Sequence, residues 1–354
     1  MDAIAYLARA LVKPAILTTL GLADWNTLVR CARSSGLLAR LHALLHDEGL
    51  LREIPIEVVP HLAAAGIVAD HERRILNWEV DRIQRALDAV DGPFILLKGA
   101  AYAILNLGVS RGRVSSDVDI LVPKDSLTPV ERALLDHGWE HIKLDHYDQY
   151  FYRYWSHELP PLQHRYRGTV VDVHHMILPP TGRLRPDPDK LIAAAVPLEG
   201  TKFRVLQPVD MVLHSAAHAF QDGDLKAGLR DLVDLDGLMR HFGSDPQFWQ
   251  QLLPRADELQ LSRPLYYALR YTTSVLDSPI PEKLLEASQK SRPPSLVLKI
   301  MDRLVADVVR TRPGRGEGFA RGFSAGLLYA RSHWLRMPPW LLARHLVRKL
   351  FVRK

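Results

Sequence analysis

Apolar residues over positions 1–90 recur at the spacing of an α-helix. In "DWNTLVRCARSSGLLARLHALLHDEG", Trp25, Leu28 and Ala32, then Leu41, Leu44 and Leu45, follow helical spacing, with Gly36 at a break between two helices. Asp24 stands where an N-cap would accept a backbone N–H. "ADHERRILNWEVDRIQRALDAV" predicts a further amphipathic helix, with Ile75, Trp78, Ile83 and Leu87 on its apolar side. The pattern then changes. "GPFILLKG" is a short apolar run of the kind that forms a buried strand, ended by Gly99. "AAYAILNLG" predicts a helix, "VDILV" a strand, and "TPVERALLDHGW" a helix capped by Thr128. "QYFYRYWS" and "GTVVDVHHMIL" are rich in aromatic and β-branched residues and predict β-structure, separated by the Pro160–Pro161 turn and a basic link. After "PPTGRLRPDPD" the chain reads as helical again, in "DMVLHSAAHAFQ" and "LKAGLRDLVDLDGLMRHFG".

The pattern thus predicts an α+β chain, a small mixed-sheet core flanked by N-terminal and C-terminal helical regions. The expected divisions are a helical region over 1–90, the core over 91–180, a second helical region over 190–290 and a basic tail over 291–354. A faint internal repeat runs across the two helical regions. Setting Trp25 on Trp249 brings Leu28 onto Leu252, Ala32 onto Ala256, Leu37 onto Leu261 and Pro55 onto Pro279. Either a duplicated helix pair or shared helical periodicity produces such a match.

Composition adds bounds. The apolar and charged fractions, 47% and 24%, are those of ordinary globular chains, which sets disorder aside as the default. A single cysteine, Cys31, excludes an internal disulfide framework and suits a reducing compartment. No uncharged apolar run reaches the length of about 18 residues expected of a membrane span, and the N-terminus lacks the order of a signal peptide. The expected location is therefore cytoplasmic. The net charge of +6 is concentrated in the tail, where Arg310 to Lys354 carry eleven Lys and Arg residues against Glu317 alone. "SHWLRMPPWLLARHLVRKLFVRK" fits a basic amphipathic helix that packs on the body or lies at the inner membrane surface. Nucleic acid is the weaker reading, because no recognised nucleic-acid module accompanies the charge.

The chemistry concentrates in "ILLKGAAYAILNLGVSRGRVSSDVDILVPKD". Asp117 and Asp119 sit two residues apart inside an apolar strand, so they share one face at about 7 Å and repel each other unless a cation intervenes. An isolated D-x-D is also what a solvated strand face looks like. Three features favour chemistry. Lys98, Gly99 and Ala100 form a strand-to-helix turn that can present backbone N–H groups to phosphate. Arg111, Arg113 and Ser116 lie in a loop suited to holding a polyphosphate. Downstream, Asp172 stands between Val171 and Val173; with the valines in the core, Asp172 and His174 face the other way. Three carboxylates from two strands suit a pair of Mg²⁺ ions, which prefer hard oxygen ligands and substrate phosphates. His214 and His218, at i and i+4 in "HSAAH", share a helix face but lack the Glu of a zinc-protease motif; a polar contact with Asp231 or Asp234 is the plainer reading, and lining the nucleotide or acceptor pocket, with His174, is the other. Arg153, Arg165 and Arg167 either favour an anionic acceptor or are solvated edge charges.

These pieces resemble the polymerase-β-like nucleotidyltransferase superfamily and, more narrowly, the bacterial uncharacterised nucleotidyltransferase family. The matching segments are "LLKGAAYAIL", the run from Arg113 through "DVDILV", "VVDVHHMIL", "VLHSAAHAF" and "LRDLVDLDGLMR", spanning about Asp24 to Pro281. The resemblance implies that Asp117 and Asp119 bind both metals, that Asp172 binds the one activating the acceptor, and that Lys98 and Gly99 form the phosphate turn. Ala100 departs from the Gly or Ser usual there. The implied activity is transfer of a nucleoside monophosphate from an NTP to an acceptor hydroxyl, with Mg²⁺ or Mn²⁺ and release of pyrophosphate. The acceptor is left open among a small molecule, a sugar and a protein or peptide hydroxyl. A non-catalytic nucleotide-binding sensor or partner platform on the same fold is the competing class.

Overall fold

The computed structural model describes residues 3–115, 117–142, 146–222, 225, 228–309 and 319–344. Its centre is one seven-stranded mixed sheet, with strands β1 Phe94–Leu96, β2 Asp117–Leu121, β3 Trp139–His141, β4 Leu162–His164, β5 Val170–His174, β6 Val196–Pro197 and β7 Phe203–Val205 in the order β3-β4-β5-β2-β1-β7-β6. The two strands that carry the acids, β2 and β5, are parallel neighbours in the interior of the sheet. β1 lies antiparallel to β2 on its other side and parallel to β7. Strands β3, β4, β6 and β7 were not foreseen from the pattern: at two or three residues each they are too short to show an alternation, and Trp139 was read into the preceding helix. Helices flank the sheet, as the α+β reading expects, and a continuous apolar core runs from Ala3 through the strands to Leu328.

Several local expectations change. "QYFYRYWS" belongs to the helix His146–Trp155, not to a strand. Aromatic residues favour strands in general, but here they pair at helical spacing: Tyr150 with Tyr154 at 4.5 Å and Phe151 with Trp155 at 6.0 Å between ring centres. The helix around Val130 begins at Leu127, with Ser126 and not Thr128 at its N-cap. The helix Leu22–Ser34 starts two residues before Asp24, which sits in its first turn.

The two halves of the faint repeat end their first helices alike. Gly36 (φ 67°) and Gln260 (φ 59°) occupy the left-handed region at equivalent places. Leu37 N–H donates to Ala32 O at 2.8 Å, and Leu261 N–H donates to Ala256 O at 2.7 Å, the same backbone closure of a helix end.

The basic tail packs on the body within its described part. Leu341 is fully buried, Trp340 meets Trp155 edge-on at 6.3 Å, and the Arg344 guanidinium lies 5.4 Å from the Trp155 ring centre. Residues 345–354, which carry the rest of the predicted amphipathic helix, lie outside the described residues. Among the described residues no helix is long and apolar enough to cross a membrane.

Candidate active site

Strand alternation decides where the acids point. Val118 and Ile120 of β2 and Val171 and Val173 of β5 are buried in the core, so Asp117, Asp119, Asp172 and His174 turn to the opposite face. The parallel register sets Asp119 beside Asp172 and Leu121 beside His174. Neighbouring strands lie about 4.8 Å apart, so the two carboxylates are close anions. They open, with Asp117, into a cleft of about 290 Å³. Lys98 and His218 line it too, as do Tyr152 and Trp155 of the aromatic helix and Arg336 and Met337 of the tail.

The two central acids are held differently. Asp119 Oδ1 lies 3.4 Å from Lys98 Nζ and 2.9 Å from His174 Nε2. Burial pushes its carboxyl up, but the Lys98 charge and the His174 hydrogen bond outweigh that, and Asp119 is held well below the usual carboxylate range. Asp172 Oδ1 is buried with no hydrogen-bond partner. Burial, followed by repulsion from Glu158 and Asp119, pushes the Asp172 carboxyl up to about 7. An unpartnered carboxylate oxygen beside two further acids is costly for the bare protein and is what a hard divalent cation satisfies. The donor set therefore fits Mg²⁺ or Mn²⁺.

His174 links the acids to a residue the sequence reading did not single out. Its Nδ1 lies 3.4 Å from Glu158 Oε2. The backbone holds Glu158 there: it bridges His174, Leu159 N–H donates to Val173 O at 2.8 Å, and His175 N–H donates to His157 O at 2.9 Å. Burial lowers the His174 imidazole, but its bond to Asp119 and the Glu158 charge raise it above its ordinary value overall. Nothing in "SHELPP" marks Glu158 as near the site, since the approach is made by a segment pairing back onto β5.

Lys98 reaches the cleft from an unusual backbone. It has φ 44°, in the left-handed region, which costs about 1–2 kcal/mol for a residue with a side chain. Leu97 N–H, just before it, donates to Asp119 O at 3.0 Å, which fixes the turn from β1 into the helix Lys98–Ile104. A Cβ at Gly99 would meet Arg113 Nη1 and Ser115 Oγ, so those side chains would have to shift. Ala100 is buried in the same helix.

The arginines of the loop have their partners away from the cleft. Arg113 Nε donates to Asp234 Oδ2 at 2.9 Å, its Nη1 donates to Ser115 Oγ, and its guanidinium lies 5.8 Å from the Tyr102 ring centre. Arg111 pairs with Asp47 at 2.7 Å. Neither lines the cleft, and the loop is tied further by Arg40, whose Nη1 donates to Gly108 O and to Arg111 O. The loop thus clamps the helices Leu38–Asp47 and Leu229–Phe242 around the site. Ser116 lies outside the described residues. Arg153 and Arg167 are likewise committed, to Glu131 and to the buried Glu79.

His214 is buried and His218 faces the cleft from a π-helical turn, His218–Asp222. Of the two acids expected to meet them, Asp234 pairs with Arg113. Burial, then Lys98 and His218, holds His214 well below its ordinary value. The Lys98 charge, then burial, lowers His218 to about 3. Both imidazoles are therefore neutral beside Lys98, whose charge is paired with Asp119. The structure brings Lys98, Asp117, Asp119, Asp172, His174 and His218 to one cleft, and leaves Gly99, Ala100, Arg111 and Arg113 outside its lining.

The model of one protein family matches residues 22–277, which include both acid-bearing strands, Lys98 and the paired histidines. The chain belongs to the family described as uncharacterised nucleotidyltransferase. No curated protein and no solved structure matches the chain. The family match ends before Arg336 and Met337, so this nucleotidyltransferase-family chain closes its cleft with residues from beyond the matched span.

Proposed function

We propose that the protein is a divalent-metal-dependent nucleotidyltransferase of the polymerase-β-like kind, moving a nucleoside monophosphate from an NTP to an acceptor hydroxyl. The observation that carries this reading is Asp119 beside Asp172 on adjacent parallel strands, with Asp117 on the same face and one Asp172 oxygen buried without a partner. Asp117, Asp119 and Asp172 would hold Mg²⁺, which when bound neutralises the triphosphate and lowers the pKa of the acceptor hydroxyl. The new bond joins the acceptor oxygen to the α-phosphorus, the bond from that phosphorus to the pyrophosphate oxygen breaks, and the acceptor's proton is released to water.

The chain's own groups divide the remaining work. Lys98 Nζ offers its charge to phosphate oxygens while restraining Asp119. His174 fixes the Asp119 carboxylate by its hydrogen bond to Oδ1. Neutral His214 and His218 add no competing charge beside Lys98. Arg336 supplies a second cation in the lining, and Tyr152 and Trp155 offer aromatic surface there to a base or an apolar acceptor. A sensor that only bound nucleotide would carry the cost of Asp172 without using it.

The test is incubation with labelled NTPs, Mg²⁺ and host extract, with products identified by mass spectrometry. Label should enter an acceptor and pyrophosphate should appear, both lost in Asp117→Ala and Asp172→Ala. Label transfer that persists in both variants refutes the assignment.

A further inference from the structure

A second cluster of ligating groups in the cleft shares only His174 with the surroundings of the three aspartates. His157, Glu158 and His174 each offer one ligand atom, and these atoms lie within 4.8 Å of one another. Two imidazoles and one carboxylate form a borderline donor set, suited to Zn²⁺ or a similar transition ion and poorly suited to Mg²⁺. The separation of His174 Nδ1 and Glu158 Oε2 is 3.4 Å. Bonds of 2.0–2.1 Å at the tetrahedral angle place neighbouring ligand atoms about 3.4 Å apart, so this pair already stands at coordination spacing. The His157 and His174 rings stack at 5.3 Å.

The surroundings match what zinc histidines require. A metal-bound imidazole nearly always donates its other N–H to a carboxylate, a backbone carbonyl or water, which fixes its tautomer and orientation. His174 Nε2 lies 2.9 Å from Asp119 Oδ1, which leaves Nδ1 facing Glu158. The paired backbone of 157–159 and β5 sets all three residues before any ion arrives.

We propose that His157, Glu158 and His174 form a binding site for a single transition-metal ion such as Zn²⁺, separate from the three-aspartate site. An ion on His174 Nδ1 would keep the Nε2–H directed at Asp119, so occupancy of this site would position an acid of the other. Binding alone tests the site, independently of nucleotidyl transfer.

Zn²⁺ titrated calorimetrically into the metal-free full-length protein, with Mg²⁺ in large excess, should bind once per chain. His157→Ala and Glu158→Gln should each weaken that binding by about tenfold or more, while Asp117→Asn leaves it unchanged. Wild-type protein loaded with Co²⁺ gives a second readout that needs no variant. Four-coordinate cobalt with imidazole ligands absorbs strongly in the visible, and an octahedral all-oxygen site absorbs weakly. Absence of Zn²⁺ binding, a weak cobalt spectrum, or loss of binding in Asp117→Asn overturns the proposal. Binding unaltered in both His157→Ala and Glu158→Gln does so as well.

Discussion

Replacing Asp172 by Asn should stabilise the metal-free protein while abolishing transfer. Burial and the neighbouring Glu158 and Asp119 move the Asp172 carboxyl from 3.8 to about 7 in the folded chain. At 1.36 kcal/mol per pH unit that displacement corresponds to about 4 kcal/mol, and water entering the cleft reduces the expected effect to about 2–4 kcal/mol. The sign follows from the direction. A carboxyl whose folded value lies above its unfolded value lends stability that is complete below about 4 and lost as the pH rises through about 7. Asn keeps the shape and removes the titration. The stability difference between variant and wild type should therefore be near zero at pH 4 and grow to its full size by pH 8. Urea unfolding in EDTA at both values measures it. Added Mg²⁺ should stabilise the wild type at pH 8 and have little effect on the variant. A variant no more stable than wild type at pH 8, or a gain of equal size at pH 4, would refute the account of Asp172 as a crowded, ion-awaiting acid.

Lys98→Met should raise the His218 imidazole from about 3 towards its ordinary value, because the Lys98 charge is the largest cause of its depression; proton NMR of the ring reads this directly. Arg113→Ala leaves Asp234 buried without its partner and should cost about 3–5 kcal/mol in urea unfolding. Gly99→Ala forces apart the Arg113 and Ser115 side chains and should cost about 1–3 kcal/mol in the same assay. Arg336→Ala should weaken binding of Mg-nucleotide or acceptor, seen as a raised KM, with thermal stability nearly unchanged.

Periodicity carried the sequence reading where a segment buries one face. The D-x-D spacing and the valines flanking Asp172 placed three acids on one side of two strands, because strand alternation is a local property. Apolar spacing likewise announced the helices around the sheet. The aromatic helix His146–Trp155 was misread because aromatic residues favour strands and only its packing partners decide otherwise. The fate of the arginines was equally hidden. Arg111 and Arg113 sit in a loop that looks built for phosphate, yet Asp47 and Asp234, far away in the chain, claim them.

By itself, then, the order of residues determined which acids would share a face and which stretches would coil, since both depend on neighbours a few positions apart. Only the folded chain decided that Lys98 lines the cleft with the acids, that Glu158 stands behind His174, and that the tail walls the cleft. Those are contacts between segments separated by tens to hundreds of residues. A charge finds its partner through the packing of the whole core, about which local spacing holds no information.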